Sequence, residues 1–393
     1  MQVNNPLKTS KQYQSVLKIA SDLITRRSIT PCDAGCQDYI AAHLRRLGFE
    51  CQQFEVEGVS NLIAHIGTGQ RQIAFSGHTD VVPPGPSHRW CSDPFEPVMQ
   101  NGRLYGRGAA DMKTGVAAFL SACEKTNWVK LGLDITFWVL ITSDEEGEAI
   151  SGSAWIKQYL DDSNVQLDAV LVGEPTAARQ TGDTVKLGRR GALSGRVVIK
   201  GKQGHVAYPQ QTTNAAAIAA VVADRLTRIP FPKGSADFPG TSLQITHLNS
   251  GEFNDNIVPG QCEICFNIRY SDDVDVETLK AKIANIVDIN ALQYKLFWER
   301  PCQAYLSQPN TSEGFCLINR VESAIQKVTG KYPLLSTAGG TSDGRFFASP
   351  YTQVVELGVP NNTIHQVNEN IELTDLFTLE DIYSVFLTDL APK

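Results

Sequence analysis

Between residues 12 and 47 the apolar positions recur at helical spacing, and "YIAAHLRRLGF" closes a helix at Gly48. Three strand-like runs follow, "CQQFEVEG", "NLIAHIG" and "RQIAFSG". The spacing turns helical again at "TGVAAFLSACEKT". It then gives way at residues 135–141 to an apolar run in which Thr136 is the one polar residue. Such a run predicts a strand buried on both faces. A helix is predicted over 153–160 and a strand at "DAVLVGEP". Strands alternating with helices predict an α/β layer with a largely parallel sheet.

Near residue 185 the pattern changes. From "VKLGRRGALSGRVVIKGKQG" onward, polar and apolar residues alternate as in half-buried antiparallel strands, and "TSLQITHLNSG" and "QCEICFNIRY" continue the pattern. Helices are predicted at 214–228, which is alanine-rich, and at 275–287. After about residue 304 a helix at 313–328 and the short strand "TQVVEL" return to the first style. The chain therefore reads as a main α/β domain in two pieces, 1–188 and 305–393, with an α+β domain inserted at 189–304. There is no internal repeat and no low-complexity segment.

Composition narrows the setting. An apolar fraction of 42% and a charged fraction of 20% are those of a globular chain. A net charge of −7 argues against nucleic acid or an anionic membrane as partner, since both attract basic patches. The opening "MQVNNPLKTSKQYQ" has no apolar core of a secretory signal, and no apolar stretch approaches the ~20 residues of a membrane helix. Nine cysteines without a regular framework suit a reducing compartment, so the cytoplasm is expected. Cys32 and Cys36 lack a second pair, and Cys262 and Cys265 should face opposite sides of a strand. Both pairs read as ordinary thiols.

Candidate chemistry gathers at strand ends. "IAFSGHTDVVPPG" puts His78 and Asp80 just past a strand, two residues apart and so on one side. "LYGRGAADMKTG" places Asp111 where a glycine-rich loop meets a helix, "ITSDEEG" supplies Glu145 and Glu146, and "VLVGEPT" ends on Glu174. In open α/β sheets the functional crevice lies beyond the carboxyl ends of the strands, where these groups can converge. Two like charges 4 Å apart repel by about 4 kcal/mol at an effective dielectric near 20. Divalent cations remove that repulsion, and imidazole with carboxylate suits zinc. His365, in "VPNNTIHQVNE", completes a set of two histidines, two terminal carboxylates and a possible bridge. Taken singly, each acidic residue reads as a helix cap or a solvated loop, and Asp144 as a turn former. His43, His65, His88 and His247 read as surface or core histidines.

The motifs "SGHTDVVPPG", "LYGRGAADMK", "SDEEG", "GEPT", "GKQGHVAYP", "GGTSDGRF" and "NNTIHQVNE" resemble, in this order and over nearly the whole chain, the succinyl-diaminopimelate desuccinylases. These belong to the di-zinc aminoacylase and deacetylase superfamily. The resemblance implies a zinc-peptidase-like three-layer α/β catalytic domain with an inserted, ferredoxin-like α+β dimerisation domain. It implies two Zn2+ per subunit, with Co2+ able to substitute. His78 and Glu174 would hold one ion, Glu146 and His365 the other, and Asp111 would bridge. Asp80 would orient His78, Glu145 would be the general base, and His205 would reach the active site of the partner in a homodimer. Arg189, Tyr208, Arg269, Gly340, Thr341 and Asn361 match positions that bind substrate. The implied reaction is hydrolysis of N-succinyl-LL-2,6-diaminopimelate in bacterial lysine biosynthesis. An acetylornithine deacetylase-type or other N-acyl-amino-acid deacylase is the alternative within the superfamily. The chain departs from the pattern at Ala192, where serine is common, and at Asp255, where asparagine is frequent.

Other readings compete. "GTSDG" at 340–344 fits a nucleophile elbow, and Ser342, Glu356 and His365 have the chain order of a hydrolase triad. "LLSTAGG" before it is small and polar where a strong strand is needed. Dinucleotide binding at "GRGAAD" is opposed by Asp111, whose charge would repel a pyrophosphate. A non-catalytic binding protein is the third alternative, against which stand the carboxylate-rich ligands and the spare Glu145.

Overall fold

Every residue of the strand Ile135–Thr142 is buried, as a strand covered on both faces requires. The computed structural model describes residues 11–132, 134–288, 293–307 and 314–390. The opening segment that was expected to lack a signal therefore falls largely outside the described residues. No described helix is long and apolar enough to cross a membrane.

The chain divides into two compact units. One runs to Gly188 and resumes at Ser307–Ser336 and from Ser342, and the other comprises Arg189–Leu306 with Thr337–Thr341. The first unit is built on an eight-stranded sheet. Its order is Glu50–Val56, Val59–Ile66, Ile135–Thr142, Arg71–His78, Ala169–Val172, Gln353–Glu356, Thr184–Lys186 and Leu334–Ser336. The four strands from Ile135–Thr142 to Gln353–Glu356 run parallel, so their carboxyl ends lie side by side. Helices Gln14–Ile24, Lys113–Glu124, Leu317–Thr329 and Leu373–Leu390 pack together against this sheet through one apolar core. Within that core Phe75 stacks on Phe119 at 3.8 Å, and Tyr383 meets Phe119 edge-on at 6.2 Å. Such pairs add about 0.5–1.5 kcal/mol beyond their buried area. The Tyr383 hydroxyl donates to the Leu357 carbonyl at 2.5 Å, fastening the last helix to the end of a central strand.

The second unit carries a four-stranded antiparallel sheet in the order Ser242–Asn249, Gln261–Tyr270, Gly191–Lys200 and Gln293–Cys302. Helices Ala215–Thr227 and Val276–Val287 pack with it around a separate core that includes Val197, Ile199, Leu226, Ile264, Phe266 and Ile283. Burial along Gln261–Tyr270 alternates strictly, and Cys262 is buried while Cys265 is half-buried. The α/β sheet with a separate α+β unit is the expected fold class.

Several elements differ from expectation. The helical spacing over 12–47 is broken into Gln14–Ile24 and Cys36–Arg46. Pro31 lacks an N–H, Gly35 has φ 78°, and Asp33 accepts the Gln37 N–H at 3.0 Å, so a new helix starts there. The helix expected over 153–160 begins two residues later, after a wide turn at Ile150–Ala154. The helix expected at 313–328 is Leu317–Thr329, and residue 313 lies outside the described residues. Strand Gln293–Cys302, strand Leu334–Ser336 and helix Leu373–Leu390 went unread in the sequence.

Candidate active site

His78 is the last residue of its strand and lies in register with Thr142, the last residue of the neighbouring strand. The turn after Thr142 delivers Glu145 and Glu146, and Glu174 follows Val172 by two residues. Asp111 precedes helix Lys113–Glu124, next to Met112. A Cβ at Gly77 or Gly173 would stand 2.7 or 2.6 Å from Met112 Cε. Their lack of side chains lets Met112 press on the strand ends, where its sulfur accepts the His78 N–H at 3.4 Å. The sequence thus places small residues where the Asp111 segment must approach.

Five of the six side chains meet as two overlapping groups, with Glu145 beside them. His78 Nε2 is 3.1 Å from Asp111 Oδ1, 3.4 Å from Glu174 Oε1 and 4.0 Å from Glu145 Oε2. His365 Nε2 is 3.0 Å from Glu146 Oε1 and 3.6 Å from Asp111 Oδ2. The potential ligand atoms of His78, Asp111 and Glu174 lie within 4.8 Å of one another, as do those of Asp111, Glu146 and His365. Asp111 belongs to both groups and turns one oxygen to each histidine. Glu174 Oε1 is buried and, beyond the His78 ring at 3.4 Å, meets no hydrogen-bond donor among the described residues, a place where a cation fits. The donor set of imidazole and carboxylate is one that could hold divalent cations.

Two buried carboxylates hold this arrangement without joining it. Asp80, fully buried, accepts the Glu145 N–H on Oδ1 at 3.3 Å and the Glu146 N–H on Oδ2 at 3.1 Å. His78 Nδ1 donates to the Asp80 backbone carbonyl at 2.9 Å and is 3.5 Å from its carboxylate, which leaves Nε2 for the cluster. Glu369 accepts the N–H groups of Gly108, Ala110 and Asp111 at 3.2, 2.7 and 3.1 Å. Asp343 is also buried, and burial lifts its carboxyl to about 6. Sequence reading missed Glu369 and Asp343, although both stand inside the motifs that gave His365 and Ser342.

The electrostatics follow from crowding. Burial and then the neighbouring Asp111 charge raise the Glu174 carboxyl to about 7. Burial, with Glu174 beside it, raises Glu145 well above its usual range. Hydrogen bonds to Asp111 and Glu146 raise His365 to about 10. Between pH 4.5 and 7 at Glu174, and between 6.5 and 10 at His365, the folded metal-free chain holds protons that the unfolded chain has lost. Stability of the metal-free protein therefore falls as pH rises through both windows. Dications must displace the same protons, each contributing up to about tenfold per pH unit. We expect apparent dication affinity to rise about tenfold or more per unit from pH 6 to 8. The gap in Tm between loaded and metal-free protein should widen over the same range. Calorimetric titration and thermal melts at three pH values check this, and a flat profile would refute the ligand assignment.

Ser342 is fully buried, and its hydroxyl donates to Glu356, itself fully buried. His365 faces Asp111 and Glu146, so the expected alternative triad of Ser342, Glu356 and His365 is not assembled. Asn361 lies in the first unit, its N–H bonded to the Ala177 carbonyl. The other expected substrate residues lie in the second unit. There Arg189 Nη1 reaches the Gly340 carbonyl at 3.5 Å, next to Thr341, and His205 neighbours Tyr208 with ring centroids 5.8 Å apart. Arg269 Nη1 and Arg190 Nε are buried without a hydrogen-bond partner among the described residues, and burial lowers the pKa of both guanidinium groups.

The family described as "Peptidase family M20/M25/M40" matches residues 74–389. Succinyl-diaminopimelate desuccinylase 1 of Alteromonas mediterranea is 56% identical over 95% of this chain and 96% of its own. Succinyl-diaminopimelate desuccinylase 2 of Shewanella loihica is 48% identical over 95% of this chain and 99% of its own. The crystal structure of an M20 family metallo-carboxypeptidase from Sulfolobus solfataricus superposes with a TM-score of 0.78 at 16% identity, covering 96% of this chain and 99% of that one, and so shares the fold. The class is that of metal-dependent hydrolases. Within it, the chain belongs to the M20/M25/M40 peptidase family.

Proposed function

We propose that the chain hydrolyses N-succinyl-LL-2,6-diaminopimelate to succinate and LL-2,6-diaminopimelate, as a cytoplasmic homodimer using two zinc ions that cobalt can replace. The observation that carries this is the shared carboxylate of Asp111, which turns Oδ1 to His78 and Oδ2 to His365. His78 and Glu174 would hold one ion, Glu146 and His365 the other, and Asp111 both. Bound dications neutralise the cluster, polarise the scissile carbonyl and acidify water. Glu145 is the general base. It stands half-buried beside the cluster without belonging to either ligand group, so it takes a proton from water and returns it to the leaving amine. Arg269 and Arg190, with buried N–H groups left over, suit a substrate bearing several carboxylates.

The substrate itself is supported by the names and high identity of the curated relatives. Ala192 pairs with Arg269 across the sheet and offers no hydroxyl, and Asp255 is exposed. Assaying zinc-loaded protein on succinyl-diaminopimelate and acetylornithine side by side should give a preference in kcat/KM of about 10⁴-fold or more for the former, the scale set by site polar groups left unpaired. Equal rates would point to a broader N-acyl-amino-acid deacylase.

The dimer is supported by the exposed apolar side chains of the second unit, among them Phe253 at 95% and Leu248 at 55% exposure. His205 is exposed there, and its Nδ1 accepts the Ala207 N–H at 3.1 Å, so Nε2 carries the hydrogen. That donor would stabilise the oxyanion in the partner's site. Mixing inactive His205→Ala chains with inactive Glu145→Gln chains should restore about a quarter of wild-type activity, because half of the dimers then hold one intact site. No recovery on mixing, with dimers shown to exchange, would remove His205 from that role.

A further inference from the structure

Glu369 and Arg107 form a buried ion pair, 2.5 Å apart and 1% and 2% exposed. Burying two charges for stability alone is a poor bargain, because desolvation offsets their attraction. The hydrogen bonds show what else the carboxylate does. Oε2 takes Arg107 and the Gly108 N–H, while Oε1 takes the N–H groups of Ala110 and of Asp111 itself. The Glu369 carbonyl also accepts the Gly106 N–H at 3.0 Å. One residue thus grips four N–H groups between Gly106 and Asp111.

Glu369 also follows His365 by four residues. The His365 side chain is half exposed, at 49%, and its backbone has φ 60°. Its loop is closed by the Thr363 hydroxyl donating to the Asn370 carbonyl at 2.6 Å, and Asn368 accepts the Cys91 N–H at 2.7 Å. Glu369 is the buried point at which this loop meets the Asp111 loop, over 250 residues away in sequence. We infer that Glu369 is a positioning residue that sets Asp111 and His365 relative to each other, with Arg107 as its counter-ion. This rests on the dinuclear reading above and deepens it.

In Glu369→Gln the amide puts NH2 against either Arg107 and the Gly108 N–H or the N–H groups of Ala110 and Asp111, so donors face donors. The chain is to be titrated with Co2+, followed by calorimetry and visible absorption, as wild type, Glu369→Gln and Arg107→Met/Glu369→Gln. Wild type should take two ions. Glu369→Gln should take the second ten- to a hundredfold more weakly, with an altered cobalt spectrum and a lower kcat at unchanged KM. The double variant, freed of an unpaired guanidinium, should recover Tm but not the second-ion affinity. Recovery of both, or wild-type binding by Glu369→Gln, would reduce Glu369 to a partner for Arg107 and overturn the inference. Fewer than two ions on wild type would instead sink the dinuclear reading, and this inference with it.

Discussion

Glu145→Gln should lower kcat by about 10²–10⁴-fold while leaving metal content unchanged, because general-base catalysis is worth that much. Gln has the shape of Glu and keeps the backbone N–H that Asp80 accepts at 3.3 Å, so the turn that also carries Glu146 stays in place. What it lacks is a basic oxygen 4.0 Å from His78 Nε2. The side chain belongs to neither ligand group, so elemental analysis of the variant should match wild type. Turnover equal to wild type would take Glu145 out of the mechanism.

Metal removal should be as severe. A chelator is expected to lower the rate by about a thousandfold or more, since dications contribute several kcal/mol of transition-state stabilisation at about 1.4 kcal/mol per tenfold. Readdition of zinc should restore it. A serine-directed fluorophosphonate should do nothing, because Ser342 is fully buried and bonded to Glu356. Activity that survives chelation and falls to the fluorophosphonate would exchange the metal mechanism for a serine one. Metal-free protein should also melt lower, the carboxylates of Asp111, Glu145, Glu146 and Glu174 then having only two histidines among them.

The clustering of these side chains was legible because each stands next to a pattern that fixes its place. The buried run over 135–141 had to end at Glu145 and Glu146, and parallel strands put their carboxyl ends together. Glu369 was not legible, since its loop has no period and a buried carboxylate looks like any other acidic residue in sequence. Helix Leu373–Leu390 was hidden in a similar way. Asp375 and Glu380 interrupt its apolar face, yet both are buried, accepting from the Thr181 N–H and the Ser121 hydroxyl. Strand Gln293–Cys302 was masked by Phe297, out of phase with Tyr294, Leu296 and Trp298, and by Pro301. Phe297 is exposed, with the Arg196 guanidinium 4.5 Å from its ring.

The sheet order of the first unit sets a timetable for the ribosome. Gln353–Glu356 lies between Ala169–Val172 and Thr184–Lys186, strands made some 170 residues earlier. Until it emerges, the edge of Ala169–Val172 stays bare, Ser342 has no Glu356, and His365 does not yet exist. A nascent chain therefore carries His78 and the four acidic cluster residues well before His365, so the group of Asp111, Glu146 and His365 is the later of the two to be completed.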